Sequence, residues 1–566
     1  MCGILAGISC DGSDICQESK QRILQMLEKM THRGPDESGV HLGGRFWLGH
    51  TRLSIVSPSH GHQPITDHDE STYVCVNGEI YNHLDLRAEV GVLDSQRTTD
   101  SDSEIVIHGY KKFGNDICEK LLGMFAFVLI SQQGEDLKVL ACRDKIGIKP
   151  LYLGKSKDGR EYLLSSELKG IVNECRPEDL QLVPAGHYWT PETGLIKYYN
   201  PAWDTDSFLD DALKNRIPAV PARYATVEEC KAALEEAVIR RCMADVEIGL
   251  LLSGGLDSSI IGAIMHEPRV KAHLKATGTI KSFAVGQEGS PDILAARVVS
   301  KYLGTEHYEA LFTPEMVFPL LEKIVYHMET YEPELIRSCI PNYLLAQKAA
   351  EHVKVVLTGE GSDELWSGYL YYGDCSDETM LQEENRRILK AVQFVNLQRA
   401  DRMSMAHSLE ARVPFFDVNY IATAMRVDPK EKLITSDRCE KWLLRTMYQD
   451  VLAKEVVWRT KAMQCEGVGM TWVQILQAHI SELVSDADFQ HAAATFPLNP
   501  PQSKEEYYYR AIFEKYYPGC EKFVHVWPGG CRAAGAPWKN DKYTRHGLVD
   551  VNVLKKGHGC AGYISA

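Results

Sequence analysis

The chain has 566 residues, too many for one hydrophobic core, so two or more domains are expected. With 44% hydrophobic and 25% charged residues it has the composition of a folded globular protein, and its net charge of −15 argues against nucleic acid or an anionic membrane as the main partner. No apolar run approaches the roughly 18 residues that span a bilayer, the start Met1-Cys2-Gly3-Ile4 lacks the basic stretch of a signal peptide, and the 16 cysteines show neither Cys-x-x-Cys pairs nor zinc spacing, so a cytoplasmic protein with mostly reduced, buried thiols is expected, with Cys2 and the tail cysteines Cys520, Cys531 and Cys560 set apart.

From residue 2 to 205 the sequence reads as short strands and turns. Apolar runs at Phe46-Trp47-Leu48-Gly49, Tyr73-Val74-Cys75-Val76 and Met124 to Ile130 are separated by Gly, Asn, Asp and Pro. Ile23, Leu24, Leu27 and Met30 fall at helical spacing and predict one amphipathic helix between Cys16 and Met30. The pattern is that of a β-rich layered domain.

Chemistry enters at the second residue. Cys2 is small enough for an aminopeptidase to remove Met1, which leaves a thiol and an α-amine of pKa about 7.7–8.0 on one residue. The amine then serves as base for the thiol in attack on a side-chain amide, with ammonia as the leaving group. Alone, such a cysteine is an ordinary thiol. The stretches Thr31-His32-Arg33-Gly34-Pro35-Asp36, His50-Thr51-Arg52-Leu53-Ser54-Ile55-Val56, Asn77-Gly78-Glu79 and Ser101-Asp102-Ser103-Glu104 supply an amino-acid pocket around it. Arg52 suits an α-carboxylate, with Leu53, Ser54, Ile55 and Val56 beside it, and Asp102 and Glu79 suit an α-ammonium. The Asn77 side chain and the Gly78 N–H suit an oxyanion, although Asn-Gly by itself reads as a hairpin turn.

Residues 206–222 read as a charged linker, and residues 223–518 as long helices alternating with short apolar strands at Ile248 to Leu252, Ser282 to Val285 and Val353 to Leu357, which implies a parallel sheet. After the first of these strands comes Ser253-Gly254-Gly255-Leu256-Asp257-Ser258-Ser259, a glycine-containing turn into an apolar helix, suited to a polyphosphate. It has no Walker Lys-Ser/Thr; Asp257 is a candidate for the accompanying cation. After the third comes Thr358-Gly359-Glu360-Gly361-Ser362-Asp363-Glu364, where Glu360 is a candidate base for incoming ammonia and Asp363 a candidate Mg2+ ligand. Residues 519–566, rich in Gly, Cys and Lys, read as a peripheral tail.

Together these residues resemble the class II glutamine amidotransferases, and the fusion to the Ser253 loop resembles the glutamine-hydrolysing asparagine synthetases. The similarity runs from Cys2 to about Pro518 and includes Arg143-Asp144-Lys145-Ile146-Gly147, Ser165-Ser166-Glu167, Ala411-Arg412-Val413-Pro414-Phe415-Phe416-Asp417 and the stretch from Phe496 to Glu514. The resemblance implies an α/β chain: an N-terminal nucleophile hydrolase αββα sandwich followed by a parallel-sheet ATP-pyrophosphatase domain. It implies glutamine, aspartate and ATP as substrates, Mg2+ with the ATP, adenylation of aspartate to β-aspartyl-AMP, an internal ammonia tunnel and a homodimer as a common assembly. It carries ATP contact onto Leu252, Ser253, Gly254, Gly255, Asp257, Ser258, Val285, Thr358 and Gly359, phosphate charge pairing onto Lys461, and a role at the adenylate onto Glu360. Two segments depart from the family: Glu334-Leu335 where a Thr-Thr pair is usual, and Lys461-Ala462-Met463-Gln464-Cys465-Glu466-Gly467 where Lys-Glu, an aromatic and Ser-Asp-Gly are usual. They are the basis of the alternative reading, an amidotransferase that adenylates another carboxylate.

Overall fold

The computed structural model describes residues 2–15, 20–218, 220–275, 278–459, 472–527 and 531–538, with two short strands beyond. In the first half, β1 (Cys2–Ser9), β2 (Glu37–Leu42), β3 (Phe46–Arg52), β4 (Ile65–Thr66), β5 (Thr72–Ile80), β6 (Gly123–Gln133), β7 (Asp136–Arg143), β8 (Tyr152–Lys155), β9 (Glu161–Ser165), β10 (Gln181–Leu182), β11 (His187–Thr190) and β12 (Gly194–Lys197) form two antiparallel sheets. One has the order β10-β8-β9-β1-β3-β2 and the other β12-β11-β7-β6-β5-β4. Alternation within strands builds the layers. Ile4, Ala6 and Ile8 of β1 meet Ala126, Val128 and Ile130 of β6 between the sheets. On the outer faces Leu5 and Trp47 pack on the helix Lys20–Glu28, and Phe125, Phe127 and Leu129 pack on helical residues Leu86, Ile105 and Val106. The half is therefore an αββα sandwich. The predicted helix is present with Ile23 and Leu27 buried, but Leu24 is 48% exposed, and the helices His83–Val90 and Ile105–Phe113 were not anticipated.

The second half holds β13 (Ile248–Leu251), β14 (Lys281–Gly286), β15 (Glu306–Leu311), β16 (Val355–Leu357) and β17 (Glu410–Arg412) in one parallel sheet of order β15-β14-β13-β16-β17. The chain runs outward from β13 through β14 to β15, then returns to the other side of β13 with β16. The order reverses between β13 and β16, the place where open α/β sheets bind ligands. No described helix is long and apolar enough to cross a membrane.

The segment read as a linker contains the helix Phe208–Leu213, with Phe208 in the apolar core. The tail is not peripheral over residues 519–527 and 531–538: Cys520, Val524, Trp527, Cys531 and Trp538 are buried. Its aromatic residues and cysteines supply apolar surface that the Gly and Lys content hides at the level of composition.

Candidate functional site

Cys2 starts β1 opposite Arg52 of β3, and is 6% exposed. Its N–H donates to Asn77 Oδ1 at 3.0 Å, which leaves Asn77 Nδ2 buried without a hydrogen-bond partner among the described residues. An orphaned donor beside a nucleophile suits an oxyanion. Asn77-Gly78 is not a hairpin turn. Both residues lie inside β5, where Gly78 has φ +127° and a Cβ would stand 1.9 Å from the Met124 carbonyl oxygen. Burial pushes the Cys2 thiol up, partly offset by the Leu53 N–H and Arg52, so this thiol needs a base close at hand.

The Arg52 guanidinium is engaged rather than open. Nη1 donates to Glu37 at 3.0 Å and the Pro58 carbonyl at 3.1 Å; Nη2 donates to the Val56 and Ser57 carbonyls at 3.2 and 2.8 Å. It thereby shapes the loop after β3, whose Leu53 and Ile55 are buried in a core shared with the second half and whose Ser54 N–H is held by Asp36 at 2.7 Å. Asp102 accepts the Ile80 N–H at 2.7 Å. Burial, Glu410 and Asp102 push Glu79 well above the usual carboxylate range, against the opposing pull of Arg412 3.3 Å away. Glu410 and Arg412 belong to β17, so the second half walls this pocket. Sequence reasoning missed that role, although both residues lie in or beside the Ala411-Arg412-Val413 run.

The second cluster sits at the sheet's switch point. The Ser253 loop follows β13 and the Thr358 loop follows β16, its parallel neighbour, with Val285 at the end of β14 on the other side. Leu252 is fully buried, and its N–H donates to the Phe283 carbonyl at 2.7 Å. Gly254 has φ +69° and a Cβ there would lie 2.4 Å from the Ala295 backbone. The loops touch: a Cβ on Gly359 would lie 2.7 Å from the Ser258 nitrogen. Ser253 Oγ and Ser258 Oγ are 3.3 Å apart and Gly255 N–H donates to Ser253 Oγ at 3.3 Å, at the start of the helix Leu256–His266. Free backbone N–H groups at that helix end favour phosphate oxygens.

Asp257 and Asp363 converge, and Lys441 Nζ bridges them, at 2.7 Å from both Asp257 oxygens and 2.6 Å from Asp363. Ser362 Oγ also donates to Asp257, at 2.8 Å. Two carboxylates already gathered around one cation form an oxygen donor set that fits magnesium. Glu360 is gripped by Arg399 Nη2 at 2.8 and 2.9 Å and by Asn396 Nδ2 at 2.9 Å. Asn396 Nδ2 also reaches Glu364 at 2.6 Å, where Tyr369 OH donates at 2.6 Å. Burial, with Asp363 and Glu360 beside it, pushes Glu364 up to about 7. Lys441, Asn396 and Arg399 come from distant segments without a local motif, which is why sequence reading did not reach them. Of the two departures, Glu334-Leu335 opens the helix Pro333–Ala350; Lys461 and residues 462–467 lie outside the described residues.

The glutamine amidotransferase domain family matches residues 1–191, and the asparagine synthase family matches residues 229–386 and 373–538. The chain is 40% identical over 541 residues to an asparagine synthetase [glutamine-hydrolyzing] of Triphysaria versicolor, covering 94% of this chain and 88% of that one. It is 40% identical to asparagine synthetase 2 [glutamine-hydrolyzing] of Oryza sativa subsp. japonica, with 94% and 88% covered, and 39% identical to asparagine synthetase 1 [glutamine-hydrolyzing] of Arabidopsis thaliana, with 94% and 89% covered. With an orphaned buried amide beside Cys2, two loops meeting at the sheet's switch point and likeness along nearly the whole chain, the protein belongs to the glutamine-hydrolysing asparagine synthetases.

Proposed function

We propose that this chain makes asparagine from aspartate, ATP and glutamine by dividing the work between two sites. Removal of Met1 leaves Cys2 with its α-amine. Cys2 Sγ attacks the glutamine side-chain carbonyl while the amine takes the thiol proton. Asn77 Nδ2 and the Gly78 N–H hold the oxyanion, and collapse to a thioester releases ammonia. Water then frees glutamate. Arg52 takes the substrate α-carboxylate in exchange for Glu37, whose carboxylate stands on Nη1 as a substrate's would. Asp102 and Glu79 take the α-ammonium.

At the second site the aspartate β-carboxylate attacks the α-phosphorus of ATP, and the bond to the β-phosphate breaks to release pyrophosphate. Ser253, Gly254, Gly255 and Ser258 cradle the phosphates, Leu252, Val285, Thr358 and Gly359 border the nucleotide, and Lys461 adds positive charge. Asp257 and Asp363 would hold Mg2+, which neutralises phosphate charge when bound. Ammonia then attacks the acyl carbon, Glu360 takes its proton and AMP departs.

The domain division 2–205, 206–222 and 223–518, a homodimer and a cytoplasmic setting belong to the same proposal. Among the described residues Cys75, Cys118 and Cys142 are free and buried, which suits a reducing compartment, whereas Cys439 is disulfide-bonded. The observation that carries the reading is the pairing of a buried thiol and an orphaned amide in one half with two touching strand-end loops in the other. The decisive measurement is pyrophosphate release against a panel of carboxylic acids with ATP and either glutamine or ammonium. Release that depends on aspartate is expected. Cys2→Ala should abolish the glutamine-supported reaction and spare the ammonium-supported one. Release with a different acid would establish the alternative acceptor, and loss of both activities in a folded Cys2→Ala chain would rule out separate sites.

A further inference from the structure

Residues 531–538 dock on the second half through Cys531, Ala533 and Trp538, which form one apolar cluster with Tyr371, Tyr372 and Leu381. The Trp538 ring lies 5.9 Å from each of the two tyrosine rings, and the Arg532 carbonyl accepts Arg387 Nη2 at 2.7 Å. This docking carries the Arg532 side chain into the Glu360 site. Its Nη2 donates to Asn396 Oδ1 at 3.0 Å, and its guanidinium carbon lies 4.3 Å from the centre of the Tyr369 ring. Arg532 Nε is shielded from solvent and has no hydrogen-bond partner among the described residues.

Asn396 gives this contact its consequence. A carboxamide has one accepting and one donating end. Arg532 holds the Oδ1 end, so Nδ2 faces Glu360 at 2.9 Å and Glu364 at 2.6 Å. Rotated by half a turn, the amide would set its oxygen against two carboxylates. The Arg532 cation also offsets the charge of Glu364 and Glu334.

We propose that Arg532 is a positioning residue for the synthetase reaction: it fixes the Asn396 carboxamide and through it the Glu360 and Glu364 carboxylates, so the C-terminal segment completes the site. The proposal rests on the two-site reading above. The test compares the full-length wild type with Arg532→Met and Arg532→Lys in ammonium-supported, aspartate-dependent pyrophosphate release, with glutaminase activity and thermal melting measured in parallel. Misplacing a reacting group by about 1 Å costs about 10²-fold, so Arg532→Met should lose about that factor in kcat with its KM for ATP little changed. Arg532→Lys keeps a charge and a donor without the fork, and is expected between the two. Glutaminase activity and melting should stay at the wild-type level. An unchanged kcat in Arg532→Met overturns the proposal. So does a joint fall of melting and glutaminase activity with the lysine variant no better, which would make the segment a structural clasp. Wild-type enzyme that releases no pyrophosphate with aspartate would sink the underlying reading instead.

Discussion

Glu364 shows how much a single proton decides in this site. Its value of about 7 stands above the ordinary 4.5, raised first by burial and then by Asp363 and Glu360, with Arg532 and Tyr369 pulling it down. The folded chain therefore keeps a proton there that the unfolded chain releases. The stabilising contribution is full below about 4.5 and is lost as pH rises through about 7, an effect of at most about 3 kcal/mol. Glu364→Gln keeps an oxygen for Tyr369 and Asn396 and removes the titration. Urea unfolding at about pH 5 and about pH 8 should show wild type losing stability relative to Glu364→Gln at the higher pH. Parallel pH profiles for the two would mean the carboxyl ionises at its ordinary value. Residues of this kind were hidden from sequence reading for a physical reason. Cys2, Asn77 and the glycine loops announce themselves through local backbone needs, whereas Lys441, Asn396 and Arg532 matter only through partners 32 to 184 residues away in the chain.

Apolar strands were the most legible elements: β13, β14 and β16 show as apolar runs, whereas β15 (Glu306–Leu311) and β17 (Glu410–Arg412) carry charged residues and were not anticipated. The helix Asn396–Met405 was the least legible. Its Gln398, Arg399, Asp401 and Arg402 have the polarity of a solvated face, yet Asp401 is 4% exposed and Arg402 is 1% exposed. They are buried because the helix faces another domain. Arg33 Nε donates to the Cys2 carbonyl at 2.9 Å, and its terminal nitrogens reach Asp401 at 2.9 and 3.2 Å. Lys149 Nζ adds a charge 3.6 Å from Asp401. Two residues before Asp401, and so on the other side of the helix, Arg399 grips Glu360. A single helix thus ties the backbone of the glutamine nucleophile to the carboxylate of the synthetase site. Removing one partner of a buried pair costs about 3–5 kcal/mol, so Asp401→Asn should lower the urea midpoint by a comparable free energy. Its glutaminase kcat should also fall, because Arg33 loses one of the two carboxylates, Asp401 and Glu167, that aim it at Cys2. A variant with wild-type stability and wild-type glutaminase activity would show that the helix does not connect the sites.

At the scale of the molecule, both halves bury side chains in common cores: Leu53, Ile55, Met124 and Ile148 lie with Leu250, Leu252 and Val413. The partition between the two sites is correspondingly thin, and β17 forms part of it. Strand alternation turns Glu410 and Arg412 one way, toward Glu79 and Cys2, while Ala411 lines a cavity shared with Thr358, Glu360 and Arg399. A small residue at the middle of that strand leaves room beside the partition for a molecule the size of ammonia. Ala411→Leu fills that room. Overpacking costs about 1–3 kcal/mol, so the variant should stay folded, with both half-reactions measurable. What should change is their connection. With glutamine labelled with 15N at the amide and unlabelled ammonium in the medium, wild type should place the label in asparagine. The leucine variant should release more glutamate than it makes asparagine and take up more unlabelled nitrogen. Retained label and matched products in Ala411→Leu would mean that nitrogen reaches Glu360 by a route that does not pass β17.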